Sequence, residues 1–455
     1  MSGVRDCEKD QYIFSMIPFI DLKKYHHTLK ELNPIKINGK VNRVVGLVVE
    51  GNGPDSSIGG LCDIYPKGSR RAIVAEVVGF KGNSILLMPL GDTRGIGPEN
   101  LIIAKRERAS IKVSDELLGR VIDGLGNPID DKGPIHIGVE QPIYAAPINP
   151  LKRKRINEPL DLGIRAINGI LTCGKGQRLG ILAGTGVGKS VLMGMIARNT
   201  KADVNIIALI GERGREVKDF IEKNLGEEGL KRSVVVAATS DQPPLIRMRG
   251  AFIATAIAEY FREHGRDVIL MMDSVTRFAM AQREVGLAIG EPPTTKGYTP
   301  SVFATLPKLL ERAGTASDKG SITGLYAVLV EGDDLSEPIS DSTRAILDGH
   351  IVLSRSLAAH NHYPAIDIMN SVSRVMIDVV SPEQMKLANK LREVIATYRE
   401  AEDLINIGAY VRGSNPNIDY AIKMIDTVNR YLVQGIDESS DYNESLDSLK
   451  GIFKG

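Results

Sequence analysis

The stretch Gln177–Asn199, QRLGILAGTGVGKSVLMGMIARN, reads as an apolar strand, a glycine-rich turn and a helix with apolar spacing. The glycines leave room for backbone N–H groups to turn inward around a phosphate, and a helix that begins there adds the positive end of its dipole. Gly-Lys-Ser at the helix start completes the pattern of a phosphate-binding P-loop. The stretch therefore predicts a nucleotide-binding α/β domain around which the remaining chain is organised.

Each residue of the loop has an expected role. Lys189 supplies a mobile positive charge for the outer phosphates, and the Ser190 hydroxyl suits a Mg²⁺ ligand. The pattern asks for glycine where Ala183 stands, but this is the end of the strand, where a methyl group is tolerable if φ stays negative. The predicted nucleotide-binding residues of the loop are Ala183, Gly184, Thr185, Gly186, Val187, Gly188, Lys189 and Ser190.

The composition is that of a globular protein with several domains. The chain has 455 residues, 43% of them hydrophobic, and its 57 basic side chains nearly balance 56 acidic ones. Such a length suggests about two to four domains. The charge balance argues against a protein that coats nucleic acid by bulk charge. Three widely separated cysteines (Cys7, Cys62 and Cys173) indicate reduced thiols in a cytoplasmic protein.

The residue pattern divides the chain into four parts. Residues 1–37 are predicted to bind a partner or to support oligomerisation, because apolar residues recur at helical spacing between Leu22 and Leu32. Such a stripe docks either on its own chain or on a partner protein, and periodicity does not choose between them. The other predicted parts are a β-barrel at 38–104, the P-loop domain at 105–380 and a helical domain at 381–455.

Residues 38–104 carry short β-rich runs such as Val41–Glu50 and Ser84–Leu90, bounded by glycine and proline. Regular short strands with such turns predict a small closed barrel. A barrel that binds single-stranded nucleic acid needs stacking aromatics, and only Tyr65 and Phe80 are aromatic here. A structural barrel is therefore favoured.

Residues 105–176 are turn-rich, and predicted strands and helices alternate after them. This rhythm is typical of a mostly parallel sheet covered by helices on both faces. The strands stop after Pro382, and three helices are predicted at Glu383–Leu404, Ile418–Val433 and Tyr442–Phe453. The predicted fold class is an α/β P-loop domain, preceded by a small β-barrel and followed by a helical C-terminal domain.

Two acidic residues follow predicted buried strands. Asp273 ends the apolar run Val268–Met272, where a carboxylate can hold the water shell of Mg²⁺. Glu212 follows the predicted strand Val204–Ile210 and emerges at the same carboxyl edge of the sheet. We expect Glu212 to be the general base that orients the attacking water. Nearby acids such as Glu216 are interpreted as helix-surface charges.

Phosphoryl transfer also needs positive charge on the equatorial oxygens of the transferring group. Arg277 and Arg374 are the leading candidates. Arg277 lies four residues after Asp273 in a predicted helix, so an ion pair between them is the alternative. Arg374 lies far along the chain, where the alternative is an ordinary surface arginine. Arg213 either contacts the γ-phosphate or pairs with an acid.

Several longer motifs resemble a known superfamily. PAIDIMNSVS at 364–373 is similar to the signature of the rotary ATP synthase α and β subunits, and the GER turn at 211–213 fits the same group. Within it, EPPTTKGYTPSVFATLPKLLERAG at 291–314 and NHYPAID at 361–367 resemble the export ATPases of type III secretion systems. The loop wording AGTGVGKS resembles the flagellar branch. The resemblance is weak in residues 1–37.

This resemblance implies a RecA-like domain that binds ATP and Mg²⁺. Lys189, Ser190 and Asp273 keep the roles given above. Glu212 falls on the catalytic glutamate of the synthase β subunit, and Tyr363 falls on the aromatic residue that stacks on adenine. Arg374 falls on the arginine finger that the synthase α subunit inserts into its neighbour's site.

In the synthase, the glutamate and the finger belong to different subunits, whereas Glu212 and Arg374 stand in one chain here. A closed homo-oligomeric ring is therefore expected, and the family implies a hexamer. The resemblance also implies other partners: export-apparatus regulator and stalk proteins and chaperone–substrate complexes, with no nucleic acid. The implied location is cytoplasmic, with peripheral association at the membrane export gate.

The resulting hypothesis is an ATPase that serves flagellar protein export. One alternative is the same enzyme in a virulence injectisome, which residues 1–37 and the genomic neighbourhood would discriminate. A second is a nucleic-acid translocase, since the transcription terminator Rho shares this ring-ATPase core. A third is a non-catalytic nucleotide-binding subunit of a rotary machine, against which Glu212 and Arg374 together argue.

Overall fold

A computed structural model describes residues 38–105, 109–317, 319–330, 332 and 334–454. The prediction for residues 1–37 lies outside these residues. Along the described chain, a closed barrel is followed by a domain built on a mainly parallel sheet and then by a helical domain. The predicted fold class is confirmed. Among the described helices, none is long and apolar enough to cross a lipid bilayer.

Six strands close the barrel in the order β1-β2-β5-β4-β3-β6. They are β1 Gly39–Val45, β2 Val48–Asn52, β3 Leu61–Tyr65, β4 Ile73–Lys81, β5 Ser84–Pro89 and β6 Leu101–Ala104. Alternate apolar side chains fill the interior, among them Val41, Ile64 and Leu87. The β-rich run Val41–Glu50 is divided between two strands, because Gly46 adopts φ +57° and turns the chain into a hairpin there.

Within the described residues the central sheet has nine strands, with the main order β17-β16-β10-β15-β13-β11-β12-β8 and β14 paired to β15. They are β8 Arg120–Asp123, β10 Arg178–Ala183, β11 Val204–Ile210, β12 Ser233–Ala238, β13 Asp267–Asp273, β14 Gly314–Thr315, β15 Ser321–Leu329, β16 Gly349–Leu353 and β17 Val372–Ser373. β7 Ser110–Val113 and β9 Val139–Pro142 form a separate antiparallel pair. All neighbours in the sheet are parallel except β14 with β15 and β16 with β17.

Helices cover both faces of this sheet, since apolar side chains form one buried cluster on each side. The helices of the domain are α1 Arg165–Ile170, α2 Lys189–Asn199, α3 Gly214–Asp219, α4 Gly226–Lys231, α5 Pro244–Glu263, α6 Val275–Ile289, α7 Pro300–Leu310, α8 Pro338–Ile346, α9 Arg355–Ala359 and α10 Met376–Val379. A π-helical stretch at Phe220–Leu225 joins α3 to α4. Single 3₁₀ turns lie at Asp115–Leu117, Pro150–Lys152 and Thr295–Gly297.

Three helices make the C-terminal domain: α11 Pro382–Asn406, α12 Pro416–Leu432 and α13 Tyr442–Ile452. Ser381 caps α11 by accepting a hydrogen bond from the Gln384 backbone N–H, and Asp441 with Glu444 forms a capping box on α13. Their apolar faces join the cluster that covers the P-loop side of the sheet. This packing fixes the helical domain beside the nucleotide-binding domain.

A buried polar contact joins the barrel to the central domain. Arg249 on α5 forms an ion pair with Glu76 on β4 at 2.6 Å, and both side chains are almost completely buried. The Tyr144 hydroxyl donates a hydrogen bond of 2.8 Å to the same carboxylate. Its ring meets Phe252 edge to face, with the centroids 5.0 Å apart. The barrel is therefore anchored by charge as well as by apolar contact.

Candidate active site

The P-loop has the predicted strand–turn–helix geometry. Ala183 is buried as the last residue of β10, and it is not among the residues with positive φ. Gly186 and Gly188 adopt φ +82° and +89°, values that favour glycine. α2 begins at Lys189 without a side-chain cap at Gly188, so the N–H groups of its first turn stay available for an anion. Of the other loop residues, Val187 is buried, and Thr185 and Ser190 are exposed.

The structure brings Lys189, Asp273 and Glu212 together. β11 and β13 are adjacent parallel strands, and Asp273 is the last residue of β13. The Lys189 ammonium group forms an ion pair with Asp273 and lies 3.9 Å from Glu212 Oε1. Asp273 is only 2% exposed, so its charge is held in a largely dehydrated site. The three side chains therefore meet at the carboxyl edge of the sheet, beside the P-loop.

Burial is the main cause that raises the pKa of Glu212 to about 8, and the nearby Asp273 charge adds to it. A hydrogen bond with Glu216 acts in the same direction on Glu212 and lowers the pKa of Glu216. The two shifts agree with a protonated Glu212 that donates to an ionised Glu216. The raised pKa of Glu212 lies close to the operating pH that suits a general base.

The interpretation of Glu216 as a surface charge is incomplete. Its side chain is half exposed on α3, but its pKa is lowered chiefly by a hydrogen bond with Glu212. The signal was available in the sequence, because Glu212 and Glu216 are four residues apart and a helix begins between them. Sequence reasoning therefore missed a second carboxyl group at the site.

Arg277 lies beside the site and does not form the ion pair with Asp273 that was the alternative interpretation. Among the described residues no carboxylate pairs with its guanidinium, which contacts Met280 Sδ at 3.7 Å. Its Nε is buried without a hydrogen-bond partner. The aliphatic part of the side chain covers Gly211, since a Cβ built there would approach Arg277 Cβ at 2.7 Å. A positive group with unused donors therefore lies next to Glu212.

Arg213 lies exposed at the rim of this group. Its side chain is 82% exposed, and its nearest carboxylate partner is Glu216 at 3.8 Å. Of the two interpretations left open for Arg213, this geometry favours the pairing with an acid. A contact of Arg213 with phosphate stays a prediction.

Tyr363 is brought to the loop from a distant part of the sequence. A Cβ built on Gly188 would be 3.5 Å from its ring, so glycine at that position also leaves space for the aromatic side chain. The peptide bond from Tyr363 to Pro364 is cis, and the Tyr363 carbonyl accepts a hydrogen bond of 2.9 Å from the Gln434 N–H. Tyr363 is 38% exposed, which leaves part of the ring accessible to a ligand.

Arg374 is not brought to this site. At the P-loop end of the sheet, Ala183 pairs with Leu353 of β16, whereas Ser373 pairs with Gly349 at the start of β16. The five residues of β16 separate these ends by about 13 Å, at a rise of about 3.3 Å per residue. Arg374 is exposed, and no carboxylate pairs with it among the described residues. One chain therefore holds Glu212 and Arg374 at opposite ends of the strands of the same sheet.

Family models match three parts of the chain. Residues 163–373 match the nucleotide-binding domain of the ATP synthase alpha/beta family, and residues 41–104 match the β-barrel domain of that family. Residues 380–451 match the C-terminal domain of the type III secretion ATPase EscN.

The curated relatives cover nearly the whole chain. The Flagellum-specific ATP synthase of Bacillus subtilis (strain 168) is 56% identical over 91% of this chain and 94% of its own length. The chain belongs to the family of flagellar and type III secretion ATPases. The prediction of an ATP-hydrolysing enzyme with an ATP synthase-like core is confirmed by this membership. The Type 3 secretion system ATPase of Xanthomonas euvesicatoria is 49% identical over 91% of the chain and 93% of its own length.

A solved structure of the family agrees with the fold. The assembled ATPase EscN from the enteropathogenic E. coli type III secretion system superposes with a TM-score of 0.86 at 46% identity. The match covers 91% of this chain and 99% of the EscN chain. A second structure, of EscN in complex with its central stalk EscO, gives a TM-score of 0.84 at 46% identity, again over 91% of this chain and 99% of EscN.

Proposed function

We propose that this ATPase hydrolyses Mg·ATP in a closed homo-hexameric ring and that its turnover assists flagellar type III protein export. The observation that carries the proposal is the separation of two halves of a site. Lys189 and Glu212 lie at the carboxyl ends of the strands, and Arg374 lies at their other end. Because one chain carries the two halves at opposite ends of its sheet, each copy can complete the site of the next through a heterologous contact.

Nucleotide binding falls to the P-loop and Tyr363. The free N–H groups of the loop and of the first turn of α2 bind phosphate oxygens, and the Lys189 ammonium group binds the outer phosphates. Tyr363 stacks on the adenine ring, which its accessible face beside Gly188 supports.

The residues present also fit Mg²⁺. Ser190 and Asp273 offer oxygen donors, which this hard cation prefers, and the buried Asp273 carboxylate carries a charge that the ion can match. Lys189 pairs with that carboxylate and would turn to the phosphates when the ion binds. A bound Mg²⁺ would neutralise charge on the outer phosphate oxygens.

The hydrolytic step needs a base and positive charge. Glu212 accepts the proton of the attacking water once it is ionised, and the neighbouring Glu216 affects the pH at which Glu212 loses its own proton. Arg277 lies ready to contact the γ-phosphate, because its donors are largely unused. Arg374 of the neighbouring copy stabilises the charge that develops on the transferring group, and Arg213 lies at the exposed rim where that neighbour would arrive.

The proposed partners and location extend what the relatives support. EscN has been observed as an assembled ATPase and together with its central stalk EscO, which supports a homo-oligomer and a stalk protein as partners of this chain. Regulator proteins and chaperone–substrate complexes of an export apparatus are further proposed partners. The proposed location is cytoplasmic, at the inner face of the membrane beside the export gate. The flagellar system is favoured over an injectisome because 56% identity to a flagellar relative exceeds 49% to an injectisome-type one.

The experiment that tests the shared site mixes two inactive chains. Glu212→Ala removes the base and Arg374→Ala removes the finger, so each variant alone should be nearly inactive. In a mixture, the intact base of one chain meets the intact finger of the other at some interfaces, and part of the activity should return. A mixture that stays as inactive as its components, while mass photometry shows mixed rings, would overturn the proposal.

A further inference from the structure

Gln177 is a buried glutamine that links distant segments of the chain. It immediately precedes β10, the strand that leads to the P-loop, and its side chain is fully buried. Its Oε1 accepts a hydrogen bond of 2.8 Å from the Gly174 N–H. Its Nε2 donates to the Asp348 carbonyl at 3.2 Å and to Ser373 Oγ at 3.0 Å. Both ends of the buried amide are thus satisfied: the oxygen by a neighbouring backbone N–H, and the nitrogen by two segments that are distant in sequence.

The segment held by Gln177 is the one that carries Arg374. Ser373 Oγ donates to the Thr172 carbonyl at 2.8 Å while it accepts from Gln177, so the hydroxyl is bonded on both sides. The Arg374 N–H donates to the Asp348 carbonyl at 3.0 Å, which is the carbonyl that Gln177 also contacts. Gln177 therefore bonds both to the Ser373 side chain and to the carbonyl that accepts the Arg374 N–H.

The alternative anchor for Arg374 is weaker. Arg374 Nη1 contacts the Leu347 carbonyl at 3.4 Å, near the limit of a hydrogen bond. β17 itself has two residues and pairs with β16 through only two registered positions. The backbone hydrogen bonds of so short a strand hold it weakly. Side-chain hydrogen bonds are therefore needed to fix the position of the residue that follows it.

We propose that Gln177 is a positioning residue for the arginine finger: it fixes the backbone from which Arg374 reaches the neighbouring copy's site. The proposal rests on the shared site proposed above. An amide suits the position because it donates two hydrogen bonds while it accepts a third. Gln177 acts on the neighbour's reaction through Arg374, although it stands at the start of the strand that leads to its own P-loop.

The test uses the mixed rings described above, because they separate the two roles of a chain. The Glu212→Ala chain serves only as finger donor, and the Arg374→Ala chain serves only as catalytic donor. Gln177→Leu is placed on either one. On the finger donor it should lower the turnover of the mixture on the order of 10- to 100-fold, since a displacement of about 1 Å at a reacting group can cost 10²-fold. On the catalytic donor the turnover should stay within about twofold, and KM for ATP should not change in either mixture.

A loss of stability does not produce this asymmetry, because it would harm both placements equally. Equal losses in the two placements, or no loss on the finger donor, would overturn the proposal. Ser373→Ala removes the same hydrogen bond from the other side and should give the same asymmetry, even if Gln177→Leu fails to fold. Gln282→Leu is the matched control, since this buried glutamine bonds to Ser301 and touches neither segment. Absence of activity in the mixture without a Gln177 change would refute the shared site itself, which is a separate outcome.

Discussion

Glu212 and Arg374 lie at opposite ends of the strands of one sheet. Glu212 follows the carboxyl end of β11, and Arg374 follows the residue that pairs with the start of β16. The proposed base and the proposed arginine finger are thus unable to meet within one copy. Turnover should depend on assembly, whereas nucleotide binding by the P-loop should not.

The first prediction separates these two properties. Arg374→Ala should lower turnover on the order of 10³-fold or more, as removal of other arginine fingers does, while the Kd for an ATP analogue stays within about twofold. Lys189→Ala is the matched comparison, because it removes charge from the loop and should weaken binding as well. Single-turnover ATPase rates and calorimetric titration measure the two quantities. A large loss of affinity in Arg374→Ala would show that the arginine serves its own chain's site.

The second prediction concerns pH. A general base must be ionised, so kcat/KM should rise with pH and level off above about 8, the raised pKa of Glu212. Burial, the Asp273 charge and the bond to Glu216 all raise that pKa. Glu216→Gln removes one of the three causes, and the rising limb should therefore move to lower pH.

The control for this pH shift is Glu222→Gln. Glu222 also stands beyond α3, but its side chain is 59% exposed and its partner is Lys218 at 3.7 Å. Its removal should leave the pH profile unchanged. A rising limb that stays in place in Glu216→Gln would mean that the shared hydrogen bond does not set the proton affinity of Glu212.

The strands that sequence predicts best are those buried on both faces. β11 has the predicted bounds, because the run Val204–Ile210 has no polar face and can lie only between two layers of helices. The P-loop was predictable for another reason: the residues that bind phosphate are close together in the sequence. Asp273 and Glu212 followed from it, because parallel strands end at one edge.

What could not be predicted depends on partners distant in the chain. β8 has four residues within a turn-rich region, and it becomes a strand only because β12 offers its edge to Val121 and Ile122. The bonds from Gln177 to Ser373 also join segments that nothing local connects. The resemblance gave Arg374 and Tyr363 their expected roles, whereas their positions in space came from the fold.

The third prediction tests the adenine contact. Tyr363→Ala should weaken ATP binding by about 1–3 kcal/mol, the range for loss of one aromatic stacking partner of a base. This corresponds to an increase in Kd of about 5- to 150-fold. Tyr363→Phe keeps the ring beside Gly188 and should bind ATP within about twofold of the wild type. Fluorescence titration with a nucleotide analogue measures both. Equal weakening by the two variants would mean that the hydroxyl and not the ring makes the contact.

The fourth prediction concerns the anchor of the barrel. Arg249→Met leaves the Glu76 carboxylate buried without its cation, and the loss of one partner of a buried pair typically costs about 3–5 kcal/mol. Thermal or urea unfolding of the full chain should show this loss. Adding Glu76→Gln removes the uncompensated charge and still accepts the Tyr144 hydroxyl, so the double variant should recover most of the stability.

The recovery is the decisive part of that experiment. If Arg249 mattered only through the packing of its side chain, the second substitution would add its own cost and the double variant would be less stable than either single one. If the cost is that of an unpaired charge, the double variant is more stable to unfolding than Arg249→Met. Lys40→Met breaks an exposed pair with Glu99 on the same barrel and should leave the unfolding curve unchanged, because solvent already screens that pair.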